Sequence, residues 1–505
     1  MNVQHGMQAR VLTCVVAAVA VAWAGAVAPA RAAAAGMTAG ARAPGAGGVA
    51  AIGAVPAAGS WGRAITVPGL RALSKGSGYG RVLSVSCASA GNCAAAGHYW
   101  IRNSQLGFVA DERHGRWGLA IAVPGLAALS AGQGADVVSV SCGSAGSCAA
   151  GGYYARPPNV VVPILATERA GRWGKAVALP GDGKVNSISC ASAGNCLAGG
   201  GIAGENEYFL VGDAYVVQER AGRWGPVRLV PGLRKLEHGG DPEVAGSWVS
   251  SAACPSAGSC AVGGAYADRS GRQHGFVAAA KNGRWGTAIQ VPGLAALNTG
   301  GLAEVTSVSC GSAGSCTAGG YYQDRHGRHG FVAVERHGAW GTAVQVPGLA
   351  ALTTGGDAEV TSVSCGSAGS CAAGGFYSDR SHHDQGFVAS EDNSVWGTAI
   401  HVPGPAALTT GGDAQVTSVS CGSAGSCAAG GFYSDRSHHH QGFVASEDNG
   451  VWGTAIQVPG LGALNKGGAA AVGSVSCALA GTCAAGGYYR HRRGHLGGFV
   501  VTQAR

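Results

Sequence analysis

From Trp61 onward the chain alternates short apolar runs with short polar or glycine-rich breaks, and the alternation itself repeats. In the unit from Val360 to Gln415 the runs are VTSVSC, CAAGGFY, GFVAS and VWGTAIHV. They are rich in Val, Phe, Tyr, Ile and Trp and are bounded by Gly, Ser, Asn or Asp, which is the pattern of short strands. In the fourth run Trp396, Thr398, Ile400 and Val402 fall on one face, with Ala399 and His401 on the other, the period of two expected of a strand. Each unit thus predicts four strands, a to d, joined by tight turns. The turn between c and d reads Glu/Asp-x-x-Gly-x-Trp, as in Glu112 to Trp117, and its Gly can take the positive φ that such a turn needs.

A cysteine pair marks every unit: Cys87/Cys93, Cys142/Cys148, Cys190/Cys196, Cys254/Cys260, Cys310/Cys316, Cys365/Cys371, Cys421/Cys427 and Cys477/Cys483. Most pairs lie about 56 residues from the next, a period that signals one supersecondary unit per repeat. The two cysteines stand at the ends of the a–b hairpin, where facing positions bring Cβ atoms close enough for a disulfide. A bridge closing so small a loop is worth roughly 2 kcal/mol on the chain-entropy model. Zinc is the competing reading, but structural zinc favours C-x2-4-C spacing with His partners.

A four-stranded sheet with two apolar faces cannot fold alone. Stacking such sheets radially buries both faces and hides most edges, which is a β-propeller. The fold expected is therefore all-β, an eight-bladed β-propeller with four antiparallel strands per blade. The recurrent Trp61, Trp117, Trp173, Trp224, Trp285, Trp340, Trp396 and Trp452 are expected to wedge between blades. The region begins with an orphan strand d, Trp61–Val67, and stops after an unpartnered strand c, Gly498–Thr502. Pairing these two would close the ring with an N-terminal outer strand on three C-terminal ones.

Composition adds the compartment. Arg10, the apolar run from Val11 to Val27 and an A-x-A pattern ending at Ala32 read as a secretory signal, 1–32. Retention as a membrane anchor is the alternative. Residues 33–60 are Ala, Gly and Pro with little to bury and read as a disordered linker, leaving 61–505 for the propeller. Cleavage removes Cys14 and leaves the paired cysteines, as expected of an exported chain in an oxidising compartment. It also removes Arg10 and Arg31, taking the net charge from +8 to about +6. That mild excess could draw the protein weakly to anionic cell-wall polymers, and no basic block suggests nucleic acid. The expectation is a secreted monomer with no stable membrane insertion after cleavage and no cofactor.

The SVSC, C-A-A-G-G and Trp elements resemble propeller repeats of the WD40, kelch and BNR kind, and most of all the repeats of uncharacterised secreted bacterial proteins. The resemblance covers about 445 residues. It implies a propeller and leaves function open, since propellers host many activities. The c–d turn is loosely similar to the Asp-box of sialidase-type propellers, Ser-x-Asp-x-Gly-x-x-Trp, but the Asp is usually Glu and the Trp sits one residue nearer to the Gly. That box is structural in its own family and implies no sialidase activity.

Candidate chemistry falls on the face carrying the d–a and b–c connections, because variable loops on a regular scaffold are where binding usually lives. Asp324/Arg325, Asp379/Arg380 and Asp435/Arg436 follow strand b in consecutive blades, as Asp268/Arg269 does in the blade before. They can fix the loops by ion pairing or hydrogen-bond a glycan. His382, His383 and Asp384, with His438, His439 and His440, offer imidazole and carboxylate to a metal ion. No nucleophile elbow, phosphate loop or H-E-x-x-H occurs. The function expected is non-catalytic binding of an extracellular glycan, cell-wall polymer or protein. The alternatives are a hydrolase or lyase built on Glu205, Glu207, Asp213, Glu237, Asp241 and Glu243 of blades 2 to 4, and a purely structural surface protein.

Overall fold

The computed structural model describes residues 60–504 except 77–78, 103, 158–159, 203–211, 238–245 and 405–411. The predicted signal and nearly all of the linker lie outside the described residues. The rest is an eight-bladed propeller of antiparallel sheets in the order a-b-c-d. Blade 6 is representative: strand a is Ala358–Ser367, b is Ser370–Ser378, c is Asp384–Asp392, and d is split into Val395–Trp396 and Ile400–His401. Strands a of neighbouring blades lie side by side, the eighth against the first. The orphan N-terminal strand, likewise split, joins blade 8. Ser60 and Trp61 pair with Ala504 and Gln503, and Ile65 and Thr66 pair with Val500 and Phe499.

All eight cysteine pairs are bridged within their own repeat. In seven blades the two cysteines face each other directly in the a–b register, as Cys365 and Cys371 do. The two cysteines of each pair differ in exposure. Cys93, Cys148, Cys196, Cys260, Cys316, Cys371, Cys427 and Cys483 on strands b are buried. Their partners Cys87, Cys142, Cys190, Cys254, Cys310, Cys365, Cys421 and Cys477 on strands a are half-buried. The reason is position in the sheet: b lies between a and c, whereas a has a sheet neighbour on one side only. The strand b cysteines are therefore core groups. Sixteen cysteines held this way fit an oxidising environment.

The SVSC run has a meaning that its strand pattern hides. Its serines form an inter-blade ladder. Ser84 and Ser86 of blade 1 accept the N–H groups of Val140 and Cys142 in blade 2. The pattern repeats around the ring at 2.9–3.1 Å and ends with Ser474 and Ser476 of blade 8 accepting from Val85 and Cys87 of blade 1. One rung is missing, because Ala253 replaces the second serine in blade 4. An inner strand otherwise presents an unpaired edge, and the hydroxyls cover it.

Between the sheets the core is built from recurring residues. Phe108, Phe276, Phe331, Phe387, Phe443 and Phe499 of strands c are fully buried. The second Gly of each C-A-A-G-G run packs against a register shift in strand a. A Cβ on Gly375 would meet the Glu359 carbonyl at 1.9 Å.

The fourth run departs from the expected single face. Trp396 is half-buried and Val402 buried, but Ile400 is 41% exposed and Ala399 points inward. The reason is that the chain leaves its own sheet after Gly397. The Ala399 N–H bonds the Pro347 carbonyl of the preceding blade, which reverses the facing of the residues beyond it. The equivalent bond recurs at Ala64, Ala120, Ala176, Ala288, Ala343 and Ala455. The d–a connections also hold structure that their loop-like composition conceals. After a glycine at positive φ, LAAL-type segments form one-turn helices such as Leu294–Leu297 and Leu349–Leu352. Their first leucine is buried and caps the space between sheets.

Candidate functional site

The b–c and d–a connections share one face, opposite the disulfide hairpins, because a and c run one way and b and d the other. On this face the predicted Asp residues are consumed by their own loops. Asp379 Oδ1 accepts the N–H groups of Ser381 and His383 at 2.8 and 3.1 Å, and its Oδ2 accepts from Gln385 at 3.0 Å. Asp435 makes the same three contacts with Ser437, His439 and Gln441. Asp324 accepts from the His326 N–H and bonds His329 Nε2 at 2.9 Å. In blade 4, burial alone would raise the Asp268 carboxyl, but bonds from the Ser270 hydroxyl, the His274 ring and the Arg272 and Ser270 amides bring it down to about 2. So these loops are fixed by Asp through backbone amides. Among the described residues no ion pair joins Asp324, Asp379 or Asp435 to the adjacent Arg. Among the described residues Arg380 and Arg436 are exposed without a side-chain partner, and Arg325 meets only the His326 ring.

The histidine-rich loops do not gather into a ligand set. The exposed His382 ring meets the Gly355 carbonyl, and Asp384 is held by Ser378 and Gln415 at 3.1 and 2.7 Å. His440 stacks on Phe432 while His438 and His439 stand exposed. Among the described residues no group of three or more His, Cys, Asp or Glu is placed to hold a metal ion. Of the carboxylates in blades 2 to 4, Glu205, Glu207, Asp241 and Glu243 lie outside the described residues. Asp213 pairs with Arg234 at 2.9 Å, and Glu237 is buried, with burial pushing its carboxyl up.

A different cluster appears where the chain's two ends meet. All 26 acidic residues lie between Asp111 and Asp448. Blade 8 and the first half of blade 1 therefore carry cations alone. On the loop-bearing face, pairing of the chain ends brings Arg71, Lys75 and Arg81 beside Lys466, Arg490, Arg492 and Arg493. The contact is direct: Tyr79 packs edge-on against His495 at 4.3 Å, and the Arg81 guanidinium lies 4.5 Å over the Tyr488 ring. The loop 490–495 is a tight turn in which His491 N–H bonds the His495 carbonyl, and the Arg490 carbonyl accepts from Gly467. Burial, then the charges of His495 and Arg71, push the His491 imidazole below its ordinary value. Arg71, Lys75, Lys466, Arg490, Arg492 and Arg493 are exposed, and none has a carboxylate partner among the described residues. Such a group of like charges is a site for an anion.

No protein-family model matches the chain, and no curated protein matches it in sequence. Some solved structures are similar to it at low identity. Sqt1 from Chaetomium thermophilum, bound to the N-terminus of ribosomal protein L10, is similar at 10% identity with a TM-score of 0.47, over 84% of this chain and 97% of that one. The β-propeller domain of the Trilobed protease from Pyrococcus furiosus is similar at 8% identity and a TM-score of 0.42, over 75% and 98%. The Hadza microbial sialidase Hz136 is similar at 11% and 0.36, over 68% and 73%.

Proposed function

We propose that this protein is an exported, non-catalytic binding scaffold whose ligand is a polyanionic extracellular polymer, such as an acidic glycan or a phosphate-bearing cell-wall polymer. The observation that supports this is the carboxylate-free group of Arg71, Lys75, Arg81, Lys466, Arg490, Arg492 and Arg493 on the loop-bearing face. Tyr79, Tyr488 and the exposed edge of Trp100 lie in the same two blades and offer rings against which sugar units can pack. Exposed Arg436, Arg380 and Arg325 continue the cations onto blades 7, 6 and 5, where nearby Asp residues reduce the field. They serve as secondary contacts along a long ligand, and linked weak contacts raise avidity when geometry lets them engage together. Paired cysteines and the signal-like N-terminus support export.

The test is binding of dextran sulfate, polyphosphate and neutral dextran to the oxidised mature protein across a salt series. The charged polymers bind and neutral dextran does not. Affinity falls with salt, and each cation removed from contact lowers the log–log slope by about one. Lys466, Arg492 and Arg493 changed together to Ala weaken binding at least tenfold. Arg325, Arg380 and Arg436 changed together weaken it less. Equal binding of neutral dextran, or no effect of the first triple change, refutes the reading.

A further inference from the structure

The opposite face, which carries the disulfide hairpins and the c–d turns, has its own repeated device. At five blade seams the strand d Trp of one blade hydrogen-bonds to strand c of the blade before it. In the seam between blades 6 and 7, Trp452 Nε1–H donates to Ser390 Oγ at 2.9 Å, and that hydroxyl donates to the buried carboxylate of Glu447. Between blades 8 and 1, Trp117 donates to Thr502 Oγ1 at 3.2 Å, which donates to Glu112 at 2.9 Å. Trp224 and Trp61 likewise donate to Thr167 and Ser446, and Trp173 donates to Asp111. One hydroxyl that accepts from an indole and donates to a glutamate therefore seals a seam.

Between blades 4 and 5 that hydroxyl is missing. Register places Ala279 at the position of Ser390: each precedes by one residue the strand c position that pairs with its own blade's Trp. The other members remain. Glu335 is 2% exposed, and among the described residues its Oε2 has no partner and the buried Trp340 Nε1 is equally without one. Both line a cleft of about 1070 Å³, with Trp285 along one side, Val277, Ala278 and Ala279 as apolar wall, and Lys281, Arg284 and His337 at the rim. At the next seam the same position is Val334, and Trp396 Nε1 is again unpartnered.

We propose that the blade 4–5 cleft binds a neutral oligosaccharide, one of whose hydroxyls takes the place of the missing seam hydroxyl. The chemistry selects the group. A buried carboxylate asks for a donor and a buried indole N–H asks for an acceptor, and unmet buried polar groups are costly. An ammonium group can satisfy the first and not the second. An anion can satisfy the second and is repelled by the first. A hydroxyl satisfies both at once. The cleft is far larger than the roughly 30 Å³ of one water and is of the size of ligand sites generally, about 300–1000 Å³. The aromatic and apolar walls suit the carbon face of a sugar ring. The site lies on the face away from the cationic cluster and is independent of it.

The experiment titrates the oxidised protein with maltotriose, cellotriose and N,N′,N″-triacetylchitotriose by calorimetry and follows the indole N–H resonances by NMR. At least one trisaccharide binds with a stoichiometry of one and shifts the Trp340 N–H signal, assigned by Trp340→Phe. Ala279→Ser supplies the seam hydroxyl from the protein itself. It weakens binding at least tenfold while leaving the fold intact and the thermal midpoint no lower. Trp340→Phe keeps an aromatic ring, removes the indole N–H and also weakens binding. No binding of any of the three sugars, or binding that Ala279→Ser leaves unchanged, overturns the proposal.

Discussion

Replacing Ser364 with Ala removes the acceptor for the Cys421 N–H, 2.9 Å away across the blade 6–7 seam. Ser364 is half-buried, so the amide left behind regains some water. The net loss is that of one ordinary hydrogen bond, about 1 kcal/mol. The chain carries its own comparison. Ala253 already omits a rung, and Ala253→Ser should restore an acceptor for the Cys310 N–H and raise stability by about the same 1 kcal/mol. The other rungs are all filled, so at this value the ladder as a whole contributes on the order of 15 kcal/mol, as much as the entire net stability of many domains. Amide hydrogen exchange on the oxidised native protein reads single rungs, since 1 kcal/mol is roughly a fivefold change in an equilibrium. In the natural sequence the Cys310 amide exchanges about fivefold faster than those of Cys365 and Cys421. Ser364→Ala brings Cys421 to the Cys310 rate, and Ala253→Ser slows Cys310. Equal protection of Cys310 and Cys421 in the natural sequence would show that the serines do not hold the seams.

Two other outcomes rest on buried groups. Burial pushes the carboxyls of Glu112, Glu219, Glu335, Glu391 and Glu447 above their ordinary value, and burial with the Asp111 charge pushes Glu168 up to about 7. A raised acid holds its proton more tightly when folded, so its stabilisation is full below about 4.5 and is lost as pH rises through the folded value. Burial lowers His401 and His491, which act the other way below about 6.5, but two imidazoles are outnumbered by six carboxyls. The thermal midpoint should therefore be higher at pH 5 than at pH 8, and Glu391→Gln should flatten the difference; a midpoint that climbs over that range contradicts the assignment. Gly375→Ala should cost about 3 kcal/mol or more by chemical denaturation, because its Cβ lands 1.9 Å from the Glu359 carbonyl. Gly118→Ala, where the nearest atom is 3.4 Å away, should stay within about 0.5 kcal/mol.

The architecture was legible because each of its determinants is local and repeated. Val360 to Gln415 shows four apolar runs and a cysteine pair, and these are enough for a disulfide-closed sheet that must stack on copies of itself. Contact between repeats was not legible. Ser362 and Ser364 look like the polar half of an alternating strand, and only the neighbouring blade reveals them as acceptors for Val419 and Cys421. Strict alternation carried past Gly397 puts Trp396, Thr398, Ile400 and Val402 on one face, whereas a bond from Ala399 to Pro347 of the preceding blade turns the chain over. Leu349–Leu352 looked like loop because four residues are too few for a helical period to register.

The candidate sites divide along the same line. Asp379 and Arg380 drew notice as a repeated charged pair, yet a repeated residue on a repeat scaffold is most readily explained by what every repeat needs. Asp379 is indeed taken up by its own turn through Ser381, His383 and Gln385. Ligand-binding groups are instead to be sought where the repeat is broken, and both breaks can be found by aligning the blades with one another. Ala279 stands where four counterparts, Thr167, Ser390, Ser446 and Thr502, carry a hydroxyl, while Asp111, Gln218 and Val334 fill the position in the other blades. RHRRGH at 490–495 stands where blades 4 to 7 have an Asp-Arg loop. The cationic cluster needed one further step. Arg71 and Arg492 are separated by almost the whole propeller sequence, and their charges combine only because the first strand completes the last blade. In a closed ring, sequence ends are spatial neighbours, so stretches free of carboxylates near both ends of the propeller sequence leave the positive charge of one sector unopposed.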